Sequence, residues 1–256
     1  MNVDVSYDGP VAILTLDRPE RRNAFTMAMR QDIALAFEQL ADDGNVRAII
    51  LTGAGGHFCS GADTGEMGEP GTVAFLARMR RLHRMIRAIA AIRKPTIAAV
   101  DGACVGAGWS LALACDLVIA TPDARFAQIF GKIGYAPDAG AIWQLARLIP
   151  VMRAKEIVYS ARTLDGTEAL SLGLVLELVA SDALMPRARD LARSLAAGPT
   201  LATGMAKAQF GSALSLSLDQ FLEQEFLIQP LLATTQDHRE GIAAVRDKRP
   251  PDFQGC

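Results

Sequence analysis

Apolar and polar positions alternate from Val3 to Leu16 on either side of Asp8-Gly9-Pro10, which predicts a strand or hairpin turning at that tripeptide. From Met27 to Leu40 the spacing becomes helical, and from Val46 to Leu51 it returns to that of a strand. Ala48-Ile49-Ile50-Leu51 and Thr96-Ile97-Ala98-Ala99-Val100 are short continuous apolar runs, each followed by a bend of small residues. This alternation predicts mixed layers of strands and helices. Past residue 182 the strand signals disappear. From Ala183 onward the pattern is of helices broken at Gly198-Pro199 and near Gly211, with an apolar stripe of Leu214, Leu218, Phe221, Leu222 and Phe226. Such a stripe is either core or the face a sister subunit covers.

The two bends carry the chemistry. His57-Phe58-Cys59-Ser60-Gly61-Ala62-Asp63 is answered about forty residues on by Val100-Asp101-Gly102-Ala103-Cys104-Val105-Gly106-Ala107-Gly108-Trp109. Each places bare backbone N–H groups at a strand end. The second leads into Ser110-Leu111-Ala112-Leu113-Ala114, so that the Ala107 N–H falls in the first turn of a helix, where free donors and the helix dipole favour negative charge. Either bend alone is an ordinary chain reversal; together they form a candidate grip on a carbonyl oxygen.

Composition narrows the field. Half of the 256 residues are hydrophobic, enough for one large core or a core with a small appendage. A net charge of −2 gives no general attraction for nucleic acid or an anionic membrane. The exception is Arg78, Arg80, Arg81, Arg84 and Arg87, on a predicted helix whose apolar stripe is Phe75, Met79, Leu82, Ile86 and Ile89. Most of these arginines fall on the other side, as a solvated face or as a patch for RNA or other phosphate groups. Cys59, Cys104, Cys115 and Cys256 lack metal-ligand spacing and read as reduced thiols of a cytoplasmic protein. His57, His83 and His238 are too scattered to suggest a metal. The glycine-rich stretches match neither G-x-G-x-x-G nor a P-loop, and no targeting or membrane-spanning segment is expected.

Five ordered motifs resemble the enoyl-CoA hydratase/isomerase (crotonase) superfamily, closest to its epoxyphenylacetyl-CoA and enoyl-CoA isomerase-like members. They are Leu16-Asp17-Arg18-Pro19-Glu20-Arg21-Arg22-Asn23-Ala24, Cys59-Ser60-Gly61-Ala62-Asp63, Asp101-Gly102 to Gly108, Ala114-Cys115-Asp116-Leu117, and Arg239-Glu240-Gly241 to Lys248-Arg249-Pro250. The resemblance implies an α/β crotonase-like spiral of β-β-α repeats over residues 1–195, holding CoA and acyl sites, and a helical oligomerisation region over 196–256. It implies a homotrimer or dimer of trimers, an acyl-CoA thioester substrate with no separate cofactor, and no nucleic-acid partner. By the same resemblance the Ala62 and Ala107 N–H groups form an oxyanion hole, although Ala107 stands where many relatives carry glycine. Arg22, Ala24, the turn Ala62-Asp63-Thr64-Gly65, and Lys248 are the implied CoA contacts; Lys248 reads equally as a solvated lysine. Phe130, Tyr135 and Trp109 are expected to shape the acyl pocket together with Met67, Phe75, Leu82 and Trp143, and residues 66–72 to form a loop above it.

The acid/base positions depart from the hydratase pattern, because Ser110 and Phe130 stand where hydratases of the family carry glutamates. Asp138, in Tyr135-Ala136-Pro137-Asp138-Ala139-Gly140, has two readings. It is an N-cap of the helix running through Trp143 to Leu148; or, as the resemblance implies, it is the single carboxylate with which an isomerase moves a proton along a thioester dienolate. Its apolar flanks Phe130, Ile133 and Trp143 predict a raised pKa. His83 reads as a packed or half-exposed helix residue, or as the base of a 4-chlorobenzoyl-CoA dehalogenase-like hydrolysis with Asp138 as nucleophile. Against the latter, Phe130 and Leu82 replace that branch's pocket tryptophans, and Ala62 its aromatic oxyanion residue. Isomerisation stands ahead of hydration and dehalogenation, with a non-catalytic acyl-CoA or RNA binder as a further alternative.

Overall fold

The computed structural model describes residues 2–66, 68 and 71–256, so Met67 and part of the expected loop lie outside the described residues. The first strands, β1 (Val3–Asp8) and β2 (Val11–Leu16), pair antiparallel as a hairpin with Asp8 opposite Val11. Gly9 turns it at φ +58°, a conformation glycine adopts without Cβ strain. Helix α1 (Met27–Asp42) starts at Thr26, whose Oγ1 accepts the Met29 N–H at 3.2 Å. There follow β3 (Ala48–Gly53), α2 (Thr72–Ala91), β4 (Thr96–Val100), β5 (Ala103–Val105), α3 (Ala107–Leu113), β6 (Leu117–Ala120) and β7 (Arg125–Ala127). Then come α4 (Ala141–Leu148), α5 (Val151–Ser160), β8 (Thr163–Asp165), α6 (Gly166–Ser171) and β9 (Glu177–Leu178).

The larger sheet has the order β1-β2-β3-β4-β6-β9 and is parallel after the hairpin; the smaller is β5-β7-β8. Successive passes of the chain put one strand in the large sheet and the next in the small one, β4 then β5 and β6 then β7. That repeated step is the spiral. The first bend joins the same scheme, since Cys59 bridges Cys104 in parallel beside the small sheet.

Both faces of the large sheet are buried, which explains why its strands read as continuous apolar runs. Leu14, Leu16, Ile49 and Leu51 face the main core with Ile33 and Phe37 of α1. Val11, Ile13, Ile50 and Ile97 face α7 (Ser181–Ala196), which presents Leu184, Ala188, Ala192 and Ala196 at four-residue intervals. Beyond Gly198-Pro199 come α8 (Thr200–Ala213), α9 (Leu218–Ala233) and α10 (Gln236–Asp247). The break expected near Gly211 comes two residues past it, where α8 ends at Ala213 with Leu214 in the cap position. Gly211 itself stays inside α8, and α9 restarts after Ser217, which caps it through a reciprocal capping box with Gln220.

Arg47, just before β3, ties the C-terminal helices to the sheet: it donates to Thr200 Oγ1 at 2.8 Å, to the Phe253 carbonyl at 2.9 Å and to the Gly198 carbonyl at 2.6 Å. Arg47→Ala is expected to destabilise the fold by about 2–4 kcal/mol, read as a lower midpoint in chemical denaturation with activity per folded molecule retained. The apolar stripe is not covered by this chain, for Leu214, Leu218, Leu222 and Phe226 are all exposed. No helix among the described residues is long and apolar enough to cross a membrane.

Candidate active site

The first bend is stitched into place from both sides. Phe58 and Cys59 donate to the carbonyls of Asp101 and Ala103 at 2.8 Å each, and Cys59 accepts the Val105 N–H at 2.9 Å. On the other side Ser60 donates to the Arg22 carbonyl, Phe25 to the Gly61 carbonyl, and Asp63 to the Phe25 carbonyl. Ala62 lies between these bonds, and its own N–H takes part in none of them. Ala107 is the first residue of α3, so its N–H has no intrahelical acceptor.

Two glycines bring the bends together. A Cβ on Gly108 would stand 2.3 Å from the Cys59 carbonyl oxygen; one on Gly61, where φ is +100°, would stand 2.9 Å from the Val105 oxygen and 3.5 Å from the Ala107 nitrogen. Only hydrogen atoms fit at those places. Both bends open onto a cavity of about 320 Å³ walled by Ala62, Ala107, Phe130, Tyr135, Asp138 and Arg30, with α2 contributing Phe75, Met79 and Leu82. A larger cleft of about 730 Å³ between α8 and α10 contains neither backbone donor pair nor Asp138.

The implied CoA turn is organised by Asn23, fully buried at φ +56°, which donates to the carbonyls of Ala54 at 2.9 Å and His57 at 2.6 Å and accepts the Arg18 N–H at 2.8 Å. Arg18 also donates to the Ala24 carbonyl at 3.0 Å and forms an ion pair with Asp63. That guanidinium and the Gly65 N–H hold the Asp63 carboxyl below the usual range. Hydrogen bonds thus tie Arg22, Ala24, Asp63 and Gly65 to the first bend, and of the implied CoA contacts Ala62 and Thr64 line the cavity. Lys248 is exposed at the end of α10 and is not on the cavity wall.

Asp138 does not cap α4. Gly140 occupies the cap position with φ +79°, and Asp138 contributes only its backbone carbonyl, to the Ala141 N–H. Asp138 lies on the cavity wall instead, and its Oδ1 is shielded from solvent with no hydrogen-bond partner among the described residues. Burial raises its pKa, in the direction expected from its apolar flanks, while the charges of Arg30, His83 and Arg78 pull it back down. Ser110 is buried, and its hydroxyl is within reach of both the Asp138 carbonyl at 3.2 Å and the Gly106 carbonyl at 3.3 Å. It secures the turn and offers no carboxylate.

Two of the three expected pocket aromatics are on the wall. Phe130 lines it, and Tyr135 meets Phe75 edge-on at 6.4 Å. Trp109 is not there: α3 is buried along its whole length, and its direction carries the indole into the core against Phe126 at 5.7 Å. On α2, Leu82 faces the cavity, whereas His83 is exposed and off the wall. Arg80, Arg81, Arg84 and Arg87 are exposed, with Arg84 paired to Glu38, but Arg78 is on the cavity wall. The residue missed by sequence reading is Arg30, 2% exposed on the inward face of α1. Its only sequence signal was a charge between Met29 and Ile33 in an otherwise apolar stripe. Among the described residues no cluster of His, Cys, Asp and Glu is arranged to hold a metal ion.

The fold is a parallel-sheet spiral in which both bends, through Ala62 and Ala107, and Asp138 line one cavity. The Enoyl-CoA hydratase/isomerase family profile matches residues 7–256. A protein of Rhodobacter capsulatus named "Probable enoyl-CoA hydratase" is 39% identical over 245 residues, covering 96% of this chain and 95% of its own. The 1,2-epoxyphenylacetyl-CoA isomerase of Escherichia coli K12 is 36% identical over 249 residues, covering 96% and 95%. The crystal structure of an enoyl-CoA hydratase from Bacillus anthracis superposes with a TM-score of 0.95 at 30% identity over all of both chains. This chain belongs to the enoyl-CoA hydratase/isomerase family, the crotonase superfamily.

Proposed function

We propose that the protein shifts a carbon–carbon double bond in an enoyl-CoA thioester. The thioester carbonyl accepts hydrogen bonds from the Ala62 and Ala107 N–H groups, Asp138 removes a proton, and the resulting enolate takes it back at another carbon. The observation that carries this reading is Asp138 itself: it is the acidic residue on the cavity wall among the described residues, and it faces the cavity that the two N–H groups share. One carboxylate suffices for a proton shuttle, whereas the two-glutamate addition of water has Ser110 and Phe130 in its place. Hydration is the second reading, favoured by the hydratase names among relatives. Hydrolysis with His83 as base has less support, because His83 lies off the wall. CoA enters as part of the substrate, and this chemistry calls for no further cofactor. Identical subunits covering the stripe on α9 would account for its exposure, in a trimer or a dimer of trimers, and a cytoplasmic location suits the free cysteines. Turnover of matched 3-enoyl-CoA and 2-enoyl-CoA substrates in heavy water tests the proposal: isomerisation of the 3-enoyl substrate with exchange of its α-proton supports it, and hydration of the 2-enoyl substrate with neither isomerisation nor α-proton exchange of the 3-enoyl substrate overturns it.

The pH dependence follows from the raised Asp138 pKa. The ionised carboxylate is the base, so kcat/KM is expected to fall as pH drops through a value above the ordinary aspartate pKa of ~3.9. The same shift means that the folded state favours the protonated acid, so the group's contribution to stability is full at low pH and is lost as pH rises through the folded value. The acid limb of the rate profile is therefore expected without any unfolding caused by Asp138. A profile that stays flat down to the ordinary aspartate range contradicts this assignment.

A further inference from the structure

Proton transfer at Asp138 leaves the most deeply buried charge of the cavity unused. Arg30 projects from the inward face of α1 onto the cavity wall, with its guanidinium carbon 5.2 Å from the centre of the Phe25 ring. Its Nε is shielded from solvent with no acceptor, and no carboxylate among the described residues lies within ion-pair distance. A guanidinium at this depth whose partner among the described residues is an aromatic face, with no acceptor for Nε, is incompletely compensated. The surroundings add to the positive field. Arg78 stands on the same wall, donating to the Glu66 carbonyl at 3.0 Å, and on its outer side Arg30 borders a small cleft with Arg81 and Arg84. The nearby acids do not meet the need: Glu66 is engaged by the Met27 N–H at 2.7 Å, Glu38 is paired with Arg84, and Asp138 is beyond ion-pair distance.

We infer that the acyl group taken by this cavity carries a carboxylate of its own, which Arg30 binds, so that the substrate class is the CoA half-thioester of an unsaturated dicarboxylic acid. A planar guanidinium offers paired donors that match a carboxylate, and a methyl-ended chain would leave the cation unmet. Among the described residues of the wall, the two cations Arg30 and Arg78 outweigh the single negative charge of Asp138. The inference rests on the reading of this cavity as an acyl-CoA site and is independent of which carbon the proton returns to.

The test is calorimetric binding of saturated, unreactive CoA thioesters in pairs of four to eight acyl carbons, each pair differing only in a terminal carboxylate or methyl, to wild type, Arg30→Met and Arg30→Lys. Wild type is expected to prefer the carboxylate member at one chain length or more by roughly 10- to 100-fold. Arg30→Met is expected to lose that preference by weakening the carboxylate member alone, and Arg30→Lys to keep part of it. Wild-type binding of the methyl members as tightly as the carboxylate members at every length overturns the inference while leaving the acyl-CoA site standing. Failure to bind any of the thioesters overturns both. A preference that survives in Arg30→Met removes Arg30 from the role. If Arg30→Met does not fold, the wild-type preference and the lysine variant still decide.

Discussion

Replacing Asp138 by asparagine is expected to lower isomerisation of a 3-enoyl-CoA roughly 10²–10⁴-fold and to abolish α-proton exchange in heavy water, with the fold intact. The size follows from the ordinary contribution of a positioned general base. The retention of fold follows from the structure. The Asp138 side chain caps nothing, its Oδ1 has no hydrogen-bond partner among the described residues, and the turn is held instead through its backbone carbonyl, which Ser110 and the Ala141 N–H both approach. Asparagine keeps the shape and removes a partly buried charge, so the variant should be no less stable than wild type at neutral pH. Retained affinity for a saturated acyl-CoA beside lost exchange would separate chemistry from binding. Exchange at the wild-type rate in Asp138→Asn would place the base elsewhere and end the shuttle reading.

What was legible in the sequence was whatever local periodicity or small-residue spacing controls. The hairpin at Gly9-Pro10, the helix beginning at Met27 and the strands before each bend are local patterns, and each is where its pattern puts it. The bends were legible because two backbones approach within Cβ-excluding distance only where side chains are absent, as at Gly61 and Gly108. Side-chain direction was not legible. Trp109 lies one residue beyond Gly108, yet how α3 seats in the core decides that the indole points away from the cavity. On α2 a single step of about 100° around the helix separates Leu82, which faces the cavity, from the exposed His83. Arg30 was hidden for a related reason: an apolar stripe read by spacing tolerates one charged residue without losing its period, and only the packed structure shows that the charge is inside. At the C-terminus the break read near Gly211 falls two residues past it, after Ala213, and the restart of α9 is set by the capping residue Ser217.

The backbone donors admit an equally direct test. Ala107→Pro is expected to lower kcat roughly 10²–10³-fold, equivalent to about 2.7–4 kcal/mol of transition-state stabilisation, while far-UV circular dichroism and the unfolding midpoint stay close to wild type. Proline is suited to the first position of a helix, since its fixed φ is helical and the N–H it lacks has no intrahelical acceptor there. The preceding residue is Gly106, at φ +57° and ψ −127°, which has no Cβ to meet the ring. The substitution therefore removes one hydrogen-bond donor from the cavity and sets a ring carbon in its direction, with α3 otherwise free to form. A side-chain variant at the same position would leave the N–H in place and is expected to retain activity as long as the side chain stays as small as serine. Opposite responses to proline and serine at one residue identify the backbone group, rather than the side chain, as what the substrate carbonyl meets. Full activity in Ala107→Pro would instead mean that the carbonyl is polarised without this N–H, and the pairing of the two bends would then serve the packing of the spiral alone.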